Sequence, residues 1–213
     1  METRKIQFPG EDVRANAVRS GIVLAGGHSR RMGCCKATLL LEGQTLLARQ
    51  VEKLRALGIR DILTSGCGIP PMPGVRIVPD ELPERGPLGG IYSCLRAARY
   101  EQCLVMSVDA PLVPVPLLQQ LLDAHEPGVT ILRHGELREP LLGVYDRSTA
   151  DAIYDLIAQG SAPVRRLQQR VHWSEYAYTG PEEYLLNCNT PQEYQQAKAL
   201  LQDAGAESKT IAL

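Results

Sequence analysis

The chain has 213 residues, of which 44% are hydrophobic and 22% are charged, and its formal net charge is -1. This size and composition suit one well-packed soluble domain. The near-zero charge argues against a broad basic surface for nucleic acid or anionic lipid, and no apolar run is long enough to cross a membrane. We therefore expect no nucleic-acid or membrane partner, and any site for an anionic ligand must be a local cluster.

The two ends of the chain differ from its middle. Residues 1–20 are rich in charge and lack apolar periodicity, so we expect a flexible extension before a domain that spans residues 21–203. The small, polar residues 204–213 are expected to form a frayed tail. The six cysteines lack the paired spacing of zinc sites, and no apolar export segment lies near the start. Reduced thiols and a cytoplasmic location are therefore expected.

Predicted strands and helices alternate along the chain. Apolar runs bounded by turn residues predict strands at residues 21–24, 61–64, 75–78, 102–108, 129–133 and 141–145. Helical spacing predicts helices at residues 46–57, 88–99, 114–125, 149–158 and 192–201, the first of which is capped by Thr45. This alternation predicts an α/β fold with a mostly parallel sheet between two helical layers. Ligands of such folds bind beyond the carboxyl ends of the strands.

The loop after the first predicted strand carries the clearest chemical signal. Gly26 and Gly27 are followed by Arg30, Arg31 and Lys36, and no acidic residue lies between positions 24 and 36. Glycines allow backbone amides to approach a ligand closely, and the cations would neutralise a polyphosphate. The spacing matches neither a Walker A loop nor a dinucleotide-binding fingerprint. A solvent-exposed Gly-Gly turn is the alternative interpretation.

Asp109 follows the longest predicted strand directly. A carboxylate at the carboxyl end of a strand is well placed to hold Mg²⁺ against substrate phosphates. The alternative is that Asp109 caps the helix that begins near Pro114. We favour the magnesium role because Pro111 and Val113 make that cap a long reach.

Two further segments add candidate ligand groups. Asp80 precedes a glycine-rich turn that feeds a helix start, where Gly89 and its neighbours could present free amides to a base, ribose or phosphate. Asn187 and Asn189 alternate, so both would point the same way on a strand, and an amide oxygen can complete a metal shell. For the asparagines the alternative is helix capping, because Asn189 or Thr190 before Pro191 fits an N-cap. Both roles are compatible.

Together these motifs resemble the molybdenum cofactor guanylyltransferase family, within the MobA-like nucleotidyltransferase superfamily. The resemblance covers nearly all of residues 21–200 and rests on six segments in the order of the family: residues 24–36, 79–80, 86–91, 108–114, 139–145 and 187–191. It implies a three-layer, Rossmann-like nucleotidyltransferase fold. It also implies a magnesium-dependent transfer of GMP from GTP to molybdopterin, with release of pyrophosphate, and molybdoenzymes or their chaperones as further partners.

The resemblance also implies roles for individual residues. It puts Leu24, Ala25, Gly26 and Gly27 at the nucleotide, which Asp80 would contact on its guanosine side. It puts Arg31 and Lys36 on the phosphates and Asp109 on magnesium. We expect Arg31, Lys36 and Asp109 to be catalytic, and Gly89, Asn187 and Asn189 to bind substrate.

Two positions depart from the pattern of the family. Cys35 stands where an aspartate usually precedes the loop lysine, and Ser65 stands where an asparagine near the base is usual. Three alternatives therefore stay open: transfer of CMP or another nucleotide, a sugar phosphate as acceptor, and a nucleotide-binding regulatory module without catalysis.

Overall fold

The computed structural model describes residues 18–26, 36–66, 68–160 and 163–210, with side chains up to residue 202. The strands are β1 (Ser20–Leu24), β2 (Leu40–Leu41), β3 (Gln44–Thr45), β4 (Asp61–Ser65), β5 (Val75–Val78), β6 (Gln102–Ser107), β7 (Val129–His134), β8 (Leu137–Asp146) and β9 (Trp173–Ala177). The α-helices are α1 (Leu46–Ala56), α2 (Gly86–Ala97), α3 (Val115–Asp123), α4 (Ala150–Ala158) and α5 (Pro191–Thr210). Short 3-10 helices lie at Lys36–Thr38, Arg147–Thr149, Val164–Gln169 and Glu182–Leu185.

Seven strands form one sheet in the order β5-β4-β1-β6-β8-β7-β9, and β2 and β3 form a separate two-stranded hairpin. Neighbouring strands from β5 to β6 are parallel, whereas β8 is antiparallel to both β6 and β7. The parallel half brings the carboxyl ends of β1 and β6 to the same edge, with Leu24 paired to Ser107. The loops that follow these two strands are therefore neighbours.

Apolar side chains fill both faces of the sheet. One core cluster joins β-strand residues to α1 and α3, and it contains Leu47, Val51, Leu118 and Leu121. The other joins the opposite face to α2 and α4, and Ile91 and Ile153 belong to it. The sheet thus lies between two helical layers, as the alternating pattern predicted. Within the described part of the chain, no helix has both the length and the apolar character needed to cross a membrane.

The amino end of α1 forms for a local reason. The Thr45 side chain accepts a hydrogen bond from the Ala48 amide at 3.1 Å, which satisfies one of the free donors of the first turn. Leu46, Leu47, Val51 and Leu54 face the core. The predicted cap is therefore confirmed, and Gly58 lies just beyond the end of the helix.

The structure corrects several predicted boundaries. Ser20 belongs to β1 and is fully buried. Its hydroxyl has a partner there, since it donates to Asp61 at 2.6 Å. The fold therefore begins within the predicted extension. The last helix reaches Thr210, well beyond the predicted end at residue 201 and into the predicted tail. The strand β9 (Trp173–Ala177), at the edge of the sheet, is an addition to the predicted elements.

Candidate active site

The ends of β1 and β4 lie against each other at the edge of the sheet. The Ala25 amide donates to the Ser65 carbonyl at 3.0 Å, and a Cβ added to Gly66 would lie 2.8 Å from the Gly26 nitrogen. Gly66 also has φ +141, so a side chain at this position would be strained as well as crowded. Leu24 and Ala25 are buried and Gly26 is exposed. The two loops therefore approach as bare backbone.

Lys36 connects two segments that are far apart in the sequence. Its ammonium donates to Asp109 Oδ2 at 3.1 Å and to Asn189 Oδ1 at 2.7 Å. Only 16% of the Lys36 side chain and 21% of the Asp109 side chain are exposed, so solvent screens this ion pair less than a surface pair. Three predicted site residues thus meet at one cation position.

The Asp109 carboxylate is held in a defined orientation. Ser107 Oγ donates to Asp109 Oδ1 at 2.5 Å, and the Cys188 amide donates to the Asp109 carbonyl at 2.7 Å. The helix that follows has Pro114 as its N-cap residue and no side-chain cap. The capping alternative for Asp109 is therefore excluded.

The segment around Asn189 contains both a helix cap and a contact with Lys36. Thr190 Oγ1 accepts from the Glu193 amide at 3.2 Å, and Glu193 Oε2 accepts from the Thr190 amide at 2.8 Å. This reciprocal pair is a capping box at the start of α5, with Pro191 in the first turn. Because Thr190 serves as the cap, the side chain of Asn189 remains available to contact Lys36.

Helix α1 forms the floor beneath the Asp109 loop. Gln50 is fully buried, and its Nε2 donates to the carbonyls of Ser107 at 2.8 Å and Ala110 at 2.9 Å. Lys53 Nζ donates to the Pro111 carbonyl at 2.7 Å. Burial, assisted by the positive charge of Arg49, lowers the pKa of Lys53 to about 7. The helix therefore ties down the backbone on both sides of Asp109.

A cavity of about 220 Å³ opens beside Asp109. Asn187, Asn189 and Ser107 line its polar end, and Val113, Leu141, Leu142 and Leu185 line its apolar walls. Glu139 also lines it, and no described residue pairs with its carboxyl group. Burial raises the pKa of Glu139 above its usual range, and the negative charge of Asp109 adds to this shift. The polar end of the cavity thus coincides with the Lys36 cluster.

Asp80 and Gly89 occupy the other side of β1, next to β5. The Asp80 carboxylate accepts from the Leu82 amide at 3.1 Å, and it lies 3.4 Å from Ser93 Oγ. A Cβ on Gly89 would lie 2.7 Å from the Leu82 carbonyl, so this glycine lets α2 pack against the Asp80 turn. Both residues shape a loop that the strand order separates from Asp109. Their predicted contacts with the nucleotide stay predictions.

The remaining predicted positions are Gly27 and Arg31, which lie outside the described residues together with Cys35. The other departure from the family pattern, Ser65, is buried at the end of β4. A Cβ on Gly90 would lie 2.6 Å from its hydroxyl oxygen, so the Ser65 side chain faces α2.

The donor set at Lys36 suits a hard divalent cation. Asp109 and Asn189 each direct one oxygen toward the Lys36 ammonium, so a metal bound by these two oxygens would take the place that the ammonium occupies here. Oxygen donors of this kind are typical of Mg²⁺, which completes its shell with water and substrate phosphates. Among the described residues no group of three His, Cys, Asp or Glu side chains has metal-binding geometry. A metal here would therefore depend on one carboxylate, amide oxygens and the substrate.

Sequence reasoning had not singled out Gln50, Ser107 and Glu139 as site residues. Gln50 lies in an apolar helical stripe, and a polar residue at such a core position is a sequence signal for a buried hydrogen-bonding role. Glu139 begins an apolar strand segment and stands next to Pro140, with no acidic neighbour on the same strand until Asp146. The antiparallel register pairs Met106 with Leu142 near the end of β6, and beyond this pair Glu139 and Asp109 line the same cavity.

Comparisons with known proteins agree with this architecture. Residues 21–175 match the model of the MobA-like NTP transferase domain. The molybdenum cofactor guanylyltransferase of Xanthomonas euvesicatoria is 34% identical over 82% of this chain and 92% of its own length. The one from Cereibacter sphaeroides is 32% identical over 85% of this chain and 96% of its own length.

A solved structure shares the fold. The molybdopterin-guanine dinucleotide biosynthesis protein A of Archaeoglobus fulgidus superposes with a TM-score of 0.70 at 22% identity, over 86% of this chain and 99% of its own. Together with the observed sheet and its two helical layers, this confirms the predicted three-layer α/β/α nucleotidyltransferase fold.

Proposed function

Because the chain belongs to the MobA-like NTP transferase family and is a nucleotidyltransferase, we propose that it transfers GMP from GTP to molybdopterin and releases pyrophosphate. The relatives from Xanthomonas and Cereibacter carry the name of this reaction and match the chain over most of its length. The observation that carries the proposal is the convergence of Lys36, Asp109 and Asn189 at the carboxyl edge of β1 and β6.

The convergent groups suit phosphoryl chemistry. An oxygen of the acceptor phosphate attacks the α-phosphorus, and the bond to the bridging oxygen of pyrophosphate breaks. The attacking phosphate is already ionised, so no general base is needed. Lys36 neutralises charge on the transferred group, and Arg31 is proposed to do the same for the leaving pyrophosphate. Asp109, with Asn189 and Asn187, would hold Mg²⁺, which stabilises negative charge on the phosphates when it is bound.

The site has two sides about Asp109. We propose that the nucleotide lies over Leu24, Ala25 and Gly26, with Gly27, Asp80 and Gly89 as further contacts, and that the acceptor lies on the side of the cavity. The reaction is expected in the cytoplasm, where molybdoenzymes or their chaperones would receive the product.

A turnover assay tests the proposal. Pyrophosphate release is measured with molybdopterin as acceptor and with GTP, CTP, UTP or ATP in the presence of Mg²⁺. We expect GTP to be used best, and Asp109→Asn to lower turnover at least about a hundredfold because the carboxylate ligand is lost. Asp123→Asn is the matched control, since Asp123 is exposed on α3.

The other outcomes select the alternatives. Preference for CTP would contradict GTP as the nucleotide donor, and turnover only with a sugar phosphate would contradict molybdopterin as the acceptor. Binding of GTP without pyrophosphate release would indicate a regulatory module, and full activity of Asp109→Asn would contradict the metal role.

A further inference from the structure

The cavity beside Asp109 has an acidic group with no partner on the protein. Glu139 is half-buried, and none of the described residues donates a hydrogen bond to its carboxyl group or forms an ion pair with it. The adjacent Arg138 does not pair with Glu139, because its guanidinium forms an ion pair with Glu175 at 2.7 Å. A carboxyl group that no protein group donates to is free to accept hydrogen bonds from a ligand in the cavity.

The position of Glu139 relates it to the reaction centre. Glu139 and Asp109 line the same cavity, and they are close enough for the charge of Asp109 to raise the pKa of Glu139. Lys36 and Ser107 donate to the Asp109 carboxylate, and Lys36 also donates to Asn189 Oδ1. A ligand group that reaches Glu139 therefore lies next to the place where phosphate is proposed to react.

The walls of the cavity indicate the kind of group that fits. Val113, Leu142 and Leu185 are at most 6% exposed and present apolar surface, which suits a flat ring better than the hydroxyl-covered faces of a sugar. The volume of about 220 Å³ is below the roughly 300–1,000 Å³ of pockets for whole ligands. The cavity is therefore of a size for one ring system.

We propose that this cavity binds the ring of the acceptor and that Glu139 selects it by accepting hydrogen bonds from adjacent N–H groups on its pyrimidine edge. A carboxylate has two oxygens in one plane and pairs with two neighbouring N–H donors, as carboxylates do with guanidinium groups. The 2-amino-4-oxopyrimidine edge of a pterin offers such donors, whereas a 2,4-dioxo edge has an acceptor in place of one of them. The assignment of the ring to the acceptor rests on the proposed function.

A pair of free rings tests the proposal directly. The dissociation constants of pterin and of its 2,4-dioxo analogue lumazine are measured by ligand fluorescence with the full chain. We expect pterin to bind at least about tenfold more tightly, because lumazine loses one charge-assisted hydrogen bond and places an acceptor against the carboxylate. Glu139→Gln and Glu139→Leu should reduce this preference to about twofold or less.

The matched control is Glu136→Gln, since Glu136 is exposed in the turn before β8 and the variant makes the same change of charge. It should keep the preference of the wild type. Unfolding curves and the thermal shift with GTP check that the Glu139 variants are folded and bind nucleotide.

Three results would overturn the inference: no measurable binding of pterin by the wild type, no preference for pterin over lumazine, or an unchanged preference in Glu139→Gln. A Glu139 variant that alters only the Mg²⁺ concentration needed for turnover would instead mark this carboxylate as a metal ligand. Failure of the proposed function is distinct, since it would appear as a lack of guanylyl transfer even where the pterin preference and its dependence on Glu139 are present.

Discussion

Lys36 contacts Asp109 and Asn189 although 73 and 153 residues separate it from them in the chain. The sequence predicted a role for each of the three from its residue type and its position at the end of a strand or before a helix. Their convergence could not be predicted from spacing, because the Lys36 segment, β6 and the start of α5 become neighbours only in the folded chain. Glu139 belongs to one of the segments that carry the resemblance, residues 139–145, but no role could be assigned to it for the same reason, since its significance comes from lining the same cavity as Asp109.

Lys36→Met should lower the maximal rate about a hundredfold and change the KM for GTP much less. The reason is that the ammonium is expected to stabilise charge that develops during transfer, as an oxyanion donor does. Steady-state pyrophosphate release measures both constants, with Lys198→Met on α5 as the control. A rate within about threefold of the wild type would contradict this role.

At the scale of elements, α1 supports the site from beneath. Its cap at Thr45 and its apolar stripe could be predicted from the sequence, because capping and amphipathic spacing are local properties. The hydrogen bonds from Gln50 to the carbonyls of Ser107 and Ala110 could not be predicted in this way, since they connect a helix to the end of a strand that is distant in the sequence. The same limit applies to β9, whose pairing with β7 decides that it is a strand.

Gln50→Leu should lower the free energy of unfolding by about 2 kcal/mol, because two buried carbonyl groups lose their donor. It should also lower kcat about tenfold with KM for GTP within about twofold, since the loop that carries Asp109 is no longer held in place. Urea unfolding and turnover well below the melting temperature give both values, and Gln196→Leu on the exposed face of α5 is the control. Loss of stability with normal kcat would restrict Gln50 to a structural role.

At the scale of the whole molecule, the two edges of the sheet have different tasks. The carboxyl edge carries the candidate site, and the opposite edge carries Asp61, which accepts from the Ser20 hydroxyl, the Arg99 amide and Arg76. Burial alone would raise the pKa of Asp61, but these hydrogen bonds outweigh it and lower the pKa below its usual range. Asp61 thus joins β1, β4 and β5 at the end away from the chemistry.

Asp61→Asn should lower the free energy of unfolding by about 2 kcal/mol at pH 7 and leave turnover unchanged. A lowered pKa in the folded state means that the stabilisation is fully present above the unfolded-state pKa of about 3.9 and is lost as the pH falls through the folded-state value. The difference between wild type and variant should therefore shrink below about pH 4. Urea unfolding between pH 3 and pH 7 measures it, and a difference independent of pH would contradict the assignment.

The fold class and most element positions follow from local sequence, because periodicity, caps and turn residues act over a few positions. Local sequence did not decide between the alternative roles of single residues. Asp109 had both a capping and a metal interpretation, and the cap is excluded because Pro114 is the N-cap residue of α3 and no side chain caps that helix. The sequence could not decide which of Asn189 and Thr190 caps α5; in the structure Thr190 is the cap and Asn189 contacts Lys36. These outcomes depend on long-range pairing of strands, which places distant residues within hydrogen-bonding distance and leaves no trace in the spacing of the chain.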